Sequence, residues 1–292
     1  MSNERSLQKP YTKVDLHCHS TISDGVLSPP DVARRAASQG VDLWALTDHD
    51  EIRGIAQARE TAHDLGMDFL SGVEISVTWG GRTVHIVGLG VDETHSVLVE
   101  GLAHNRSGRL RRGQSIADRL TELGISGTFE GAKALASNPE MLSRTHFARY
   151  LVDQGYASSI QNVFDQYLGD GKPAAVPMNW ATLGEALHWI HSAGGVAVIA
   201  HPGRYEFERL RLDAFVKEFQ ALGGCGIEIY TGSHHPNEYE FYERVARQYG
   251  LHGSCGSDFH GPKEGRYDLG SMPLLPTDIP AVWDVAKIDY AK

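Results

Sequence analysis

The sequence predicts an α/β protein, a closed or distorted barrel of roughly seven strands with a helical insertion. Three observations lead to this fold class. Short apolar runs alternate with helix-type periodicity in the first and last thirds of the chain, as in βα repeats. The middle, from about Ser96 to Tyr167, shows helical periodicity and no convincing strand. The 292 residues, 41% hydrophobic and 22% charged, are enough for a large apolar core without disulfides or other staples.

The first part of the barrel is predicted to span residues 12–95. Ser28 can cap a helix whose first turn contains proline, and Gly40 ends that helix. Gly80-Gly81 favours a tight turn between two strands. The predicted elements, in order, are strand Val14–His17, the helix that starts after Ser28, strand Val41–Thr47, helix Glu51–Leu65, and strands Asp68–Ser76 and Arg82–Val91.

A helical insertion domain is predicted over residues 96–179, and the second part of the barrel over 180–292. Serine caps and closing glycines delimit the helices of the insertion. Thr182 and Glu185 form a capping-box pattern at the start of the second barrel part. The remaining predicted elements are one long helix or two over Ser96–Leu123, helices Ser143–Gln154 and Ser158–Leu168, strand Val196–Ala200, a helix around Leu210–Leu222, strand Gly226–Tyr230, helix Asn237–Tyr249 and strand Leu251–Gly256.

Charge and cysteine content exclude several classes of protein. The net charge of −10 argues against non-specific coating of nucleic acid, because phosphate contacts need a basic surface. Cys18, Cys225 and Cys255 lack any CxxC pair, so neither a disulfide framework nor a thiolate zinc site is expected. The polar N-terminus has no signal-peptide pattern, and Ala186–Gly203 does not read as a membrane span. We therefore expect a soluble, cytoplasmic protein.

Acidic and histidine side chains stand where the predicted strands end. In a parallel barrel these ends gather on one face, and residues two apart on a strand share a side. The candidate metal ligands are His17, His19, Asp24, His49, Glu74, His85, His201, Asp258 and His260. Imidazole and carboxylate groups suit zinc, manganese or iron, and nine ligands are too many for one ion. They could hold three, with carboxylates such as Glu74 bridging adjacent ions.

The other histidines and two neighbouring aspartates have plainer interpretations. Asp48 and Asp50 are either hydrogen-bond partners of the ligand histidines or loop caps, and for Asp50 we favour the former. Structural roles are expected for His63, His95, His104, His188, His191 and His252.

The ligand motifs together resemble the polymerase and histidinol phosphatase (PHP) domain. They are His17-Cys18-His19, Ser23-Asp24-Gly25, Thr47-Asp48-His49-Asp50, Gly72-Val73-Glu74, His85, His201-Pro202 and Ser257-Asp258-Phe259-His260. The resemblance implies a distorted (β/α)7 PHP barrel that hydrolyses phosphoesters at a trinuclear site, with manganese expected and zinc or iron as alternatives.

The same resemblance implies how the ligands are divided among the ions. The first ion would be held by His17, His19, Glu74 and Asp258, the second by Glu74, His85 and His201, and the third by Asp24, His49 and His260. The attacking group would be a metal-bound hydroxide held by Glu74, Asp258 and His201.

Three basic residues outside the ligand set are candidates for substrate binding. Arg144 opens a predicted helix, and free amides at a helix start together with a guanidinium form a ready phosphate site. Lys172 lies in a flexible turn, and Arg204 follows the candidate ligand His201 by three residues. By contrast, a basic run on the long helix is expected to be a solvated face: Arg106, Arg109, Arg111 and Arg112.

Segments Arg144–Arg149, Gly171–Pro173 and His201–Tyr205 further resemble one subgroup of the PHP family. This subgroup contains bacterial 3′,5′-nucleoside bisphosphate phosphatases and related 5′-to-3′ exoribonucleases of the ribonuclease AM type. The resemblance implies nucleoside 3′,5′-bisphosphates, such as 3′-phosphoadenosine 5′-phosphate, and short single-stranded 5′-phosphorylated RNA as partners. The metals would hold the 3′-phosphoryl group, and basic groups of the insertion would hold the 5′-phosphate.

Two other interpretations stay open from the sequence. One is another PHP phosphatase, such as a histidinol phosphatase, which would share the metal face. The other is a non-catalytic metal-binding barrel that serves as an interaction module. Neither a membrane nor a stable protein partner is expected from the sequence.

Overall fold

Seven strands form one sheet in which each strand pairs with the next along the chain, in the order β1 to β7. The computed structural model describes residues 10–291. The strands are β1 Val14–Asp15, β2 Leu43–Leu46, β3 Asp68–Trp79, β4 Arg82–Leu89, β5 Val196–Ile199, β6 Gly226–Thr231 and β7 His252–Gly256. The amide of Leu16 donates to Cys255 O at 3.0 Å, and Cys18 bridges to Phe259, so β1 meets β7 and nearly closes the barrel. The predicted fold class is confirmed.

The barrel is mixed, which corrects the expectation of a parallel core. Strand β4 runs antiparallel to both β3 and β5, while the other neighbouring pairs are parallel. The cause is local: Gly80 and Gly81 both adopt positive φ, at 53° and 76°, and close a two-residue hairpin. Strand β3 also continues to Trp79, three residues beyond its predicted end, so Glu74 lies in the middle of the strand and not near its end.

Ten α-helices surround the sheet in the described part of the chain. They are α1 Pro29–Ser38, α2 Ile55–Asp64, α3 Ser96–Arg106, α4 Arg109–Glu122, α5 Thr128–Leu135, α6 Arg144–Asp153, α7 Ile160–Val163, α8 Leu183–Ser192, α9 Arg209–Ala221 and α10 Tyr239–Tyr249. The expected capping box opens α8, with Thr182 N donating to Glu185 Oε2 at 2.8 Å. None of the helices described is long and apolar enough to cross a membrane.

The helices of the central segment differ in detail from those predicted. The region Ser96–Leu123 forms two helices, α3 and α4, divided at Ser107-Gly108. Helix α5 was not predicted, and α7 passes into a π-helical turn over Phe164–Leu168. Helix α2 begins at Ile55, four residues later than expected, because Asp48–Arg53 is taken up by a loop.

Apolar residues form two separate buried clusters. The larger one fills the barrel and the space between the sheet and its outer helices. The smaller one lies within the central helical segment and contains Ile116, Leu120, Phe147, Leu151, Val163 and Leu168. The second cluster gives the central helical segment a hydrophobic core of its own. The exact domain boundaries at residues 95 and 179 stay a prediction.

The smaller cluster can be tested with a matched pair of leucines. We expect Leu151→Ala, in buried helix α6, to lower the free energy of unfolding by about 2–5 kcal/mol through lost burial and a residual cavity. Leu210→Ala, on α9 with an 84% exposed side chain, should cost less than about 0.5 kcal/mol. Urea unfolding measures both. Equal costs at the two positions would contradict a packed core in the helical segment.

Candidate metal centre

The alternation of side chains at the end of β1 separates two histidines from the cysteine between them. His17, Cys18 and His19 are all buried, but Cys18 belongs to the larger apolar cluster. Its Sγ lies 3.2 Å from Trp44 Nε1 and 3.2 Å from Ala45 O. The two histidines therefore point into the barrel mouth, while the thiol is used for packing and is not available as a ligand.

The histidines that follow β1 meet carboxylates from β3 and from the loop after β7. The Nε2 atoms of His17 and His19 lie 3.3 and 3.4 Å from Glu74 Oε2, and His19 Nε2 lies 3.2 Å from Asp258 Oδ1. Ligand atoms arranged tetrahedrally at about 2.1 Å from an ion are separated by about 3.4 Å. The spacing of this group is thus that of one coordination shell.

The second carboxylate oxygen of Glu74 faces a different pair of histidines. Its Oε1 lies 2.8 Å from His85 Nδ1 and 2.8 Å from His201 Nε2, and the two ring nitrogens are 3.3 Å apart. His85 comes from the middle of β4 and His201 from the loop after β5. One buried carboxylate is therefore shared between two candidate ligand sets.

A third group gathers around Asp24. Its Oδ1 lies 3.4 Å from His260 Nε2, 3.9 Å from His49 Nε2 and 4.0 Å from His19 Nδ1. The other ring nitrogen of His49 is 2.7 Å from Glu74 Oε2, so that ring lies between two groups. His19 also faces two groups, because its Nε2 lies near Glu74 and Asp258 and its Nδ1 lies near Asp24. The family resemblance had assigned His19 to the first ion alone.

Unpaired buried atoms show that this cluster fits divalent cations. Of the twelve buried side-chain atoms without a hydrogen-bond partner in the described residues, six belong to this cluster: His17 Nε2, His19 Nδ1, Asp24 Oδ1, His49 Nδ1, Glu74 Oε2 and His201 Nδ1. Leaving such atoms unsatisfied is costly, whereas nitrogen and carboxylate donors at this spacing are suitable ligands for zinc, manganese or iron. Three groups within the cluster have ligand atoms close enough to hold an ion: His19, Asp24, His49 and His260; His17, His19 and Glu74; His49, Glu74 and His85.

The electrostatics favour the protonation states that metal binding requires at His19, His201 and Glu74, whereas at His17, His49 and His260 the nearby carboxylates outweigh burial and raise the pKa. Burial, with the neighbouring rings of His260 and His49, lowers the pKa of His19 to about 3. Burial and the charge of Arg204 lower the pKa of His201 to about 3. Although burial opposes it, the surrounding histidines hold the pKa of Glu74 well below its usual range. Neutral imidazoles and an ionised carboxylate are the forms that coordinate cations.

Backbone strain is concentrated at the same place. Among the described non-glycine residues, four have positive φ: Asp50, His201, Glu206 and Asp258. Two of these are candidate ligands, and Asp50 directly follows His49. Such conformations cost free energy and persist where surrounding contacts impose them, which occurs most often at functional sites.

A glutamate that the sequence analysis missed supports two of the ligand sets. Glu228 is buried on β6, where its Oε1 is 2.7 Å from His17 Nδ1 and its Oε2 accepts from the amide of His201 at 2.6 Å. A carboxylate behind a ligating histidine fixes the ring and its tautomer. The available signal was an acidic residue within the otherwise apolar strand Gly226–Thr231.

In the described structure Asp48 and Asp50 accept hydrogen bonds from loop and strand residues and not from histidine rings. The expectation that Asp50 is a hydrogen-bond partner of a ligand histidine is therefore wrong. Asp48 accepts from Ser20 N at 2.8 Å and from Ser23 Oγ at 2.5 Å. Asp50 accepts from Ser76 N at 2.8 Å and is paired with the buried Arg109. These carboxylates hold the loops that carry Asp24 and His49.

The candidate substrate-binding residues lie at different distances from this cluster. Arg204 contacts it directly, with Nη1 3.3 Å from Asp258 Oδ2 and a side chain that is 46% exposed. Arg144 donates to Asp170 Oδ1 at 3.0 Å, and its pKa is lowered mainly by burial, with a contribution from the charge of Arg204. Lys172 is exposed in the turn after the π-helical segment. Arg144 and Arg204 are thus within electrostatic reach of each other.

The expectation that Arg106, Arg109, Arg111 and Arg112 form a solvated face is wrong for Arg109 and incomplete for Arg106 and Arg112. Arg106 is the last residue of α3 and donates to Asp50 O at 2.8 Å. Arg109 is buried, and its guanidinium lies 4.8 Å from the centre of the Trp180 ring. Arg112 lies 5.4 Å from the same ring, and burial, then Arg144 and Arg109, lower its pKa to about 9. Arg112 is still charged at neutral pH and adds a positive group beside Arg144. Arg111 is exposed, as expected.

The helical segment reaches the ligand-bearing loops through specific polar contacts. Ser143 Oγ donates to Asp24 Oδ2 at 3.0 Å, and Arg149 Nη2 donates to Asp24 O at 2.5 Å. Arg149 also forms a two-point ion pair with Glu264, at 2.5 and 2.6 Å. The N-terminal end of α6, where Arg144 stands, is therefore held beside the cluster.

Comparisons with known proteins agree with this geometry. The chain is 48% identical over 270 residues to the 3′,5′-nucleoside bisphosphate phosphatase of Chromobacterium violaceum, covering 92% of this chain and 95% of that protein. It is 43% identical to the 5′-3′ exoribonuclease of Haemophilus influenzae, covering 93% and 98%. A solved amidohydrolase from Chromobacterium violaceum with bound sulfate superposes with a TM-score of 0.91 at 47% identity, covering 94% and 95%.

The family resemblance deduced from the ligand motifs is confirmed by a direct match. The model of the PHP domain family matches residues 15–172, which include six of the nine candidate ligands and Arg144. The chain belongs to the PHP domain family.

Proposed function

We propose that this protein is a metal-dependent phosphoesterase that hydrolyses the 3′-phosphate of nucleoside 3′,5′-bisphosphates, such as 3′-phosphoadenosine 5′-phosphate. It also removes nucleotides one at a time from the 5′ end of short 5′-phosphorylated RNA. The observation that carries this proposal is the sharing of Glu74 between two histidine sets, with Arg204 exposed beside them. The activities of the two curated relatives named above support it.

The proposed metal content is three divalent ions, with manganese expected and zinc or iron as alternatives. The proposed ligands are the nine residues His17, His19, Asp24, His49, Glu74, His85, His201, Asp258 and His260. When bound, such ions polarise phosphoryl oxygens and lower the pKa of a coordinated water towards neutrality. Glu74, Asp258 and His201 surround the position proposed for the attacking water, and Glu228 keeps His17 and the His201 backbone in place.

The basic residues divide into two proposed phosphate contacts. Arg204, beside Asp258, faces the phosphoryl group under attack. Arg144, Lys172 and Arg112 hold the 5′-phosphate at the opposite end of the nucleotide. The carboxylate that pairs with Arg144 is Asp170, whose side chain is 73% exposed, so a phosphate can replace it without leaving a buried charge unpaired.

The two substrates then undergo one reaction. Water attacks the phosphorus attached to the 3′ oxygen of a nucleotide whose 5′-phosphate is clamped, the P–O3′ bond breaks, and the 3′ oxygen leaves and is protonated. Release of inorganic phosphate makes the protein a phosphatase. Release of a nucleoside monophosphate from an RNA that keeps a new 5′-phosphate makes it an exoribonuclease. A cytoplasmic location is part of this proposal.

The ligand assignment can be tested with paired histidine variants. We expect His19→Ala to lower phosphoester hydrolysis by at least about a hundred-fold and to reduce bound metal, because a ligand is lost. Asp258→Asn should lower phosphoester hydrolysis and bound metal in the same way. His188→Ala, on the exposed side of α8, is the control and should change neither property. Elemental analysis and phosphate release measure the effects, and circular dichroism checks the fold. Full activity with full metal content in His19→Ala would show the assignment to be wrong.

The 5′-phosphate clamp predicts a loss that depends on the substrate. We expect Arg144→Ala to lower kcat/KM for a 3′,5′-bisphosphate about ten- to a hundred-fold more than for a nucleoside 3′-monophosphate, because one charge-assisted contact is lost. Arg111→Ala, an exposed arginine on the same helical segment, should have no such effect. Steady-state phosphate release on both substrates makes the comparison. Equal losses on the two substrates would rule out a 5′-phosphate role.

The RNA activity predicts a dependence on the 5′ end. A short single-stranded oligonucleotide with a 5′-monophosphate should be shortened stepwise from that end, whereas a 5′-hydroxyl oligonucleotide should be a poor substrate because the clamp has nothing to hold. Structured duplex should resist, since its end does not easily enter the site. A gel time course on end-labelled oligonucleotides reads this out. Internal cuts, or equal rates on 5′-monophosphate and 5′-hydroxyl oligonucleotides, would contradict the clamp.

A further inference from the structure

A short turn between β5 and α9 brings Arg204 to the metal centre. Residues Pro202–Tyr205 form a 3₁₀ turn that directly follows the candidate ligand His201. From this turn, Arg204 Nη1 donates to Asp258 Oδ2 at 3.3 Å. The Arg204 side chain is long and half-exposed, so its guanidinium is directed reproducibly only if the backbone that carries it is fixed.

Both ends of the turn are hydrogen bonded to the barrel. At one end the amide of His201 donates to Glu228 Oε2 at 2.6 Å. At the other end the Tyr205 hydroxyl donates to Ala200 O at 2.8 Å and accepts from the amide of His85 at 2.8 Å. These contacts fix the ends of the turn and leave its middle to be held by another group.

The middle of the turn contacts a buried histidine from the loop after β6. The amide of Gly203 donates to His234 Nε2 at 3.0 Å, and His234 Nδ1 lies 3.1 Å from Ile229 O. Because an amide N–H only donates, Nε2 is the unprotonated ring nitrogen, and Nδ1 carries the proton that Ile229 O accepts. Burial lowers the pKa of His234 to about 4, so the ring is neutral at neutral pH and keeps this tautomer.

Packing prevents the imidazole of His234 from moving away from the turn. The ring has no solvent exposure and stacks on Tyr242 of α10, with centroids 4.3 Å apart and an angle of 14° between the planes. The backbone of the turn lies against the ring edge, since a Cβ at Gly203 would come within 2.7 Å of His234 Cδ2. Glycine at this position therefore permits the close approach that the hydrogen bond requires.

The residue before His234 contacts the same carboxylate oxygen as Arg204. Ser233 Oγ donates to Asp258 Oδ2 at 3.2 Å, and Arg204 Nη1 lies 3.3 Å from that oxygen. Two consecutive residues of one loop thus hold the backbone next to Arg204 and the carboxylate that its guanidinium contacts. The loop after β6 therefore acts on both ends of the arginine side chain.

We propose that His234 is a positioning residue for the reaction: as a neutral hydrogen-bond acceptor it fixes the Gly203 amide and thereby directs Arg204 at the phosphoryl group under attack. The inference rests on the proposed function and deepens it, because it adds a residue that acts through Arg204. Without the acceptor a buried N–H is left unpaired, and the turn has to move for that amide to find another partner. A displacement of about 1 Å at a reacting group lowers a rate by up to about a hundred-fold.

The test measures hydrolysis of adenosine 3′,5′-bisphosphate by variants that remove or keep the acceptor. His234→Phe keeps an aromatic ring on Tyr242 but cannot accept, and we expect kcat to fall about ten- to a hundred-fold while KM changes less than about three-fold. His234→Gln, whose side-chain oxygen can accept from the same amide, should restore kcat to within about three-fold of the wild type. His63→Phe is the matched control, because His63 Nε2 lies 3.1 Å from Asp289 O on α2, and its kinetics should be those of the wild type.

A double-mutant cycle with Arg204→Ala separates positioning from a general loss of structure. Adding His234→Phe to Arg204→Ala should lower kcat by less than about two-fold more, because the group that His234 directs is already absent. Urea unfolding and elemental analysis accompany each variant, and bound metal should stay at the wild-type level. If His234→Phe does not fold, Gly203→Ala replaces it in the cycle, because the added methyl group displaces the turn from the ring while His234 stays.

The outcomes separate the role of His234 from the proposed function. The role would be overturned by an unchanged kcat in His234→Phe, by loss of bound metal in that variant, by additive losses in the double variant, by failure of His234→Gln to restore kcat, or by an equal effect of His63→Phe. An Arg204→Ala variant as active as the wild type would overturn it too, while the phosphoesterase would stand. A wild type that does not hydrolyse the bisphosphate would show the proposed function itself to be wrong, and the role of His234 with it.

Discussion

The site depends on one buried carboxylate that faces two sets of histidines. Glu74 has no solvent exposure, and its two oxygens point to His17 and His19 on one side and to His85 and His201 on the other. A carboxylate in that position must be compensated, because an isolated buried charge is very unfavourable. Histidines at 2.8–3.4 Å supply part of the compensation, and the remaining unpaired lone pairs and ring nitrogens fit cations.

A shell of polar contacts keeps those side chains where the shared carboxylate needs them. Glu228 holds the ring of His17 and the backbone of His201 with the two oxygens of one side chain. Asp50 ties the loop after β2 to β3 and to Arg109 of the helical segment. The loop that carries His49 and the helical segment are therefore linked by direct polar contacts, and these contacts help to hold the arginines of that segment in place.

The arrangement of charge explains how an acidic protein can act on a polyanion. The net charge of −10 repels nucleic acid in general, but Arg204 contacts the candidate ligand Asp258, Arg144 is within electrostatic range of Arg204, and Arg112 is within range of Arg144. Short substrates that fit between these groups gain local contacts, whereas a long duplex would also meet the repulsive surface. The proposed preference for mononucleotides and short single strands follows from this contrast.

The sequence alone determined what depends on residue type and local periodicity. The number of strands, the capping box at Thr182, the helical nature of the central segment and the family all follow from such patterns. Only the tertiary structure decided that β4 also runs antiparallel to β5, that β3 continues to Trp79, and that Arg109 is buried against Asp50. Glu228 was missed for the same reason. Strand direction, ion pairing and the burial of a charge depend on which distant segments come together, and local patterns carry no record of that pairing.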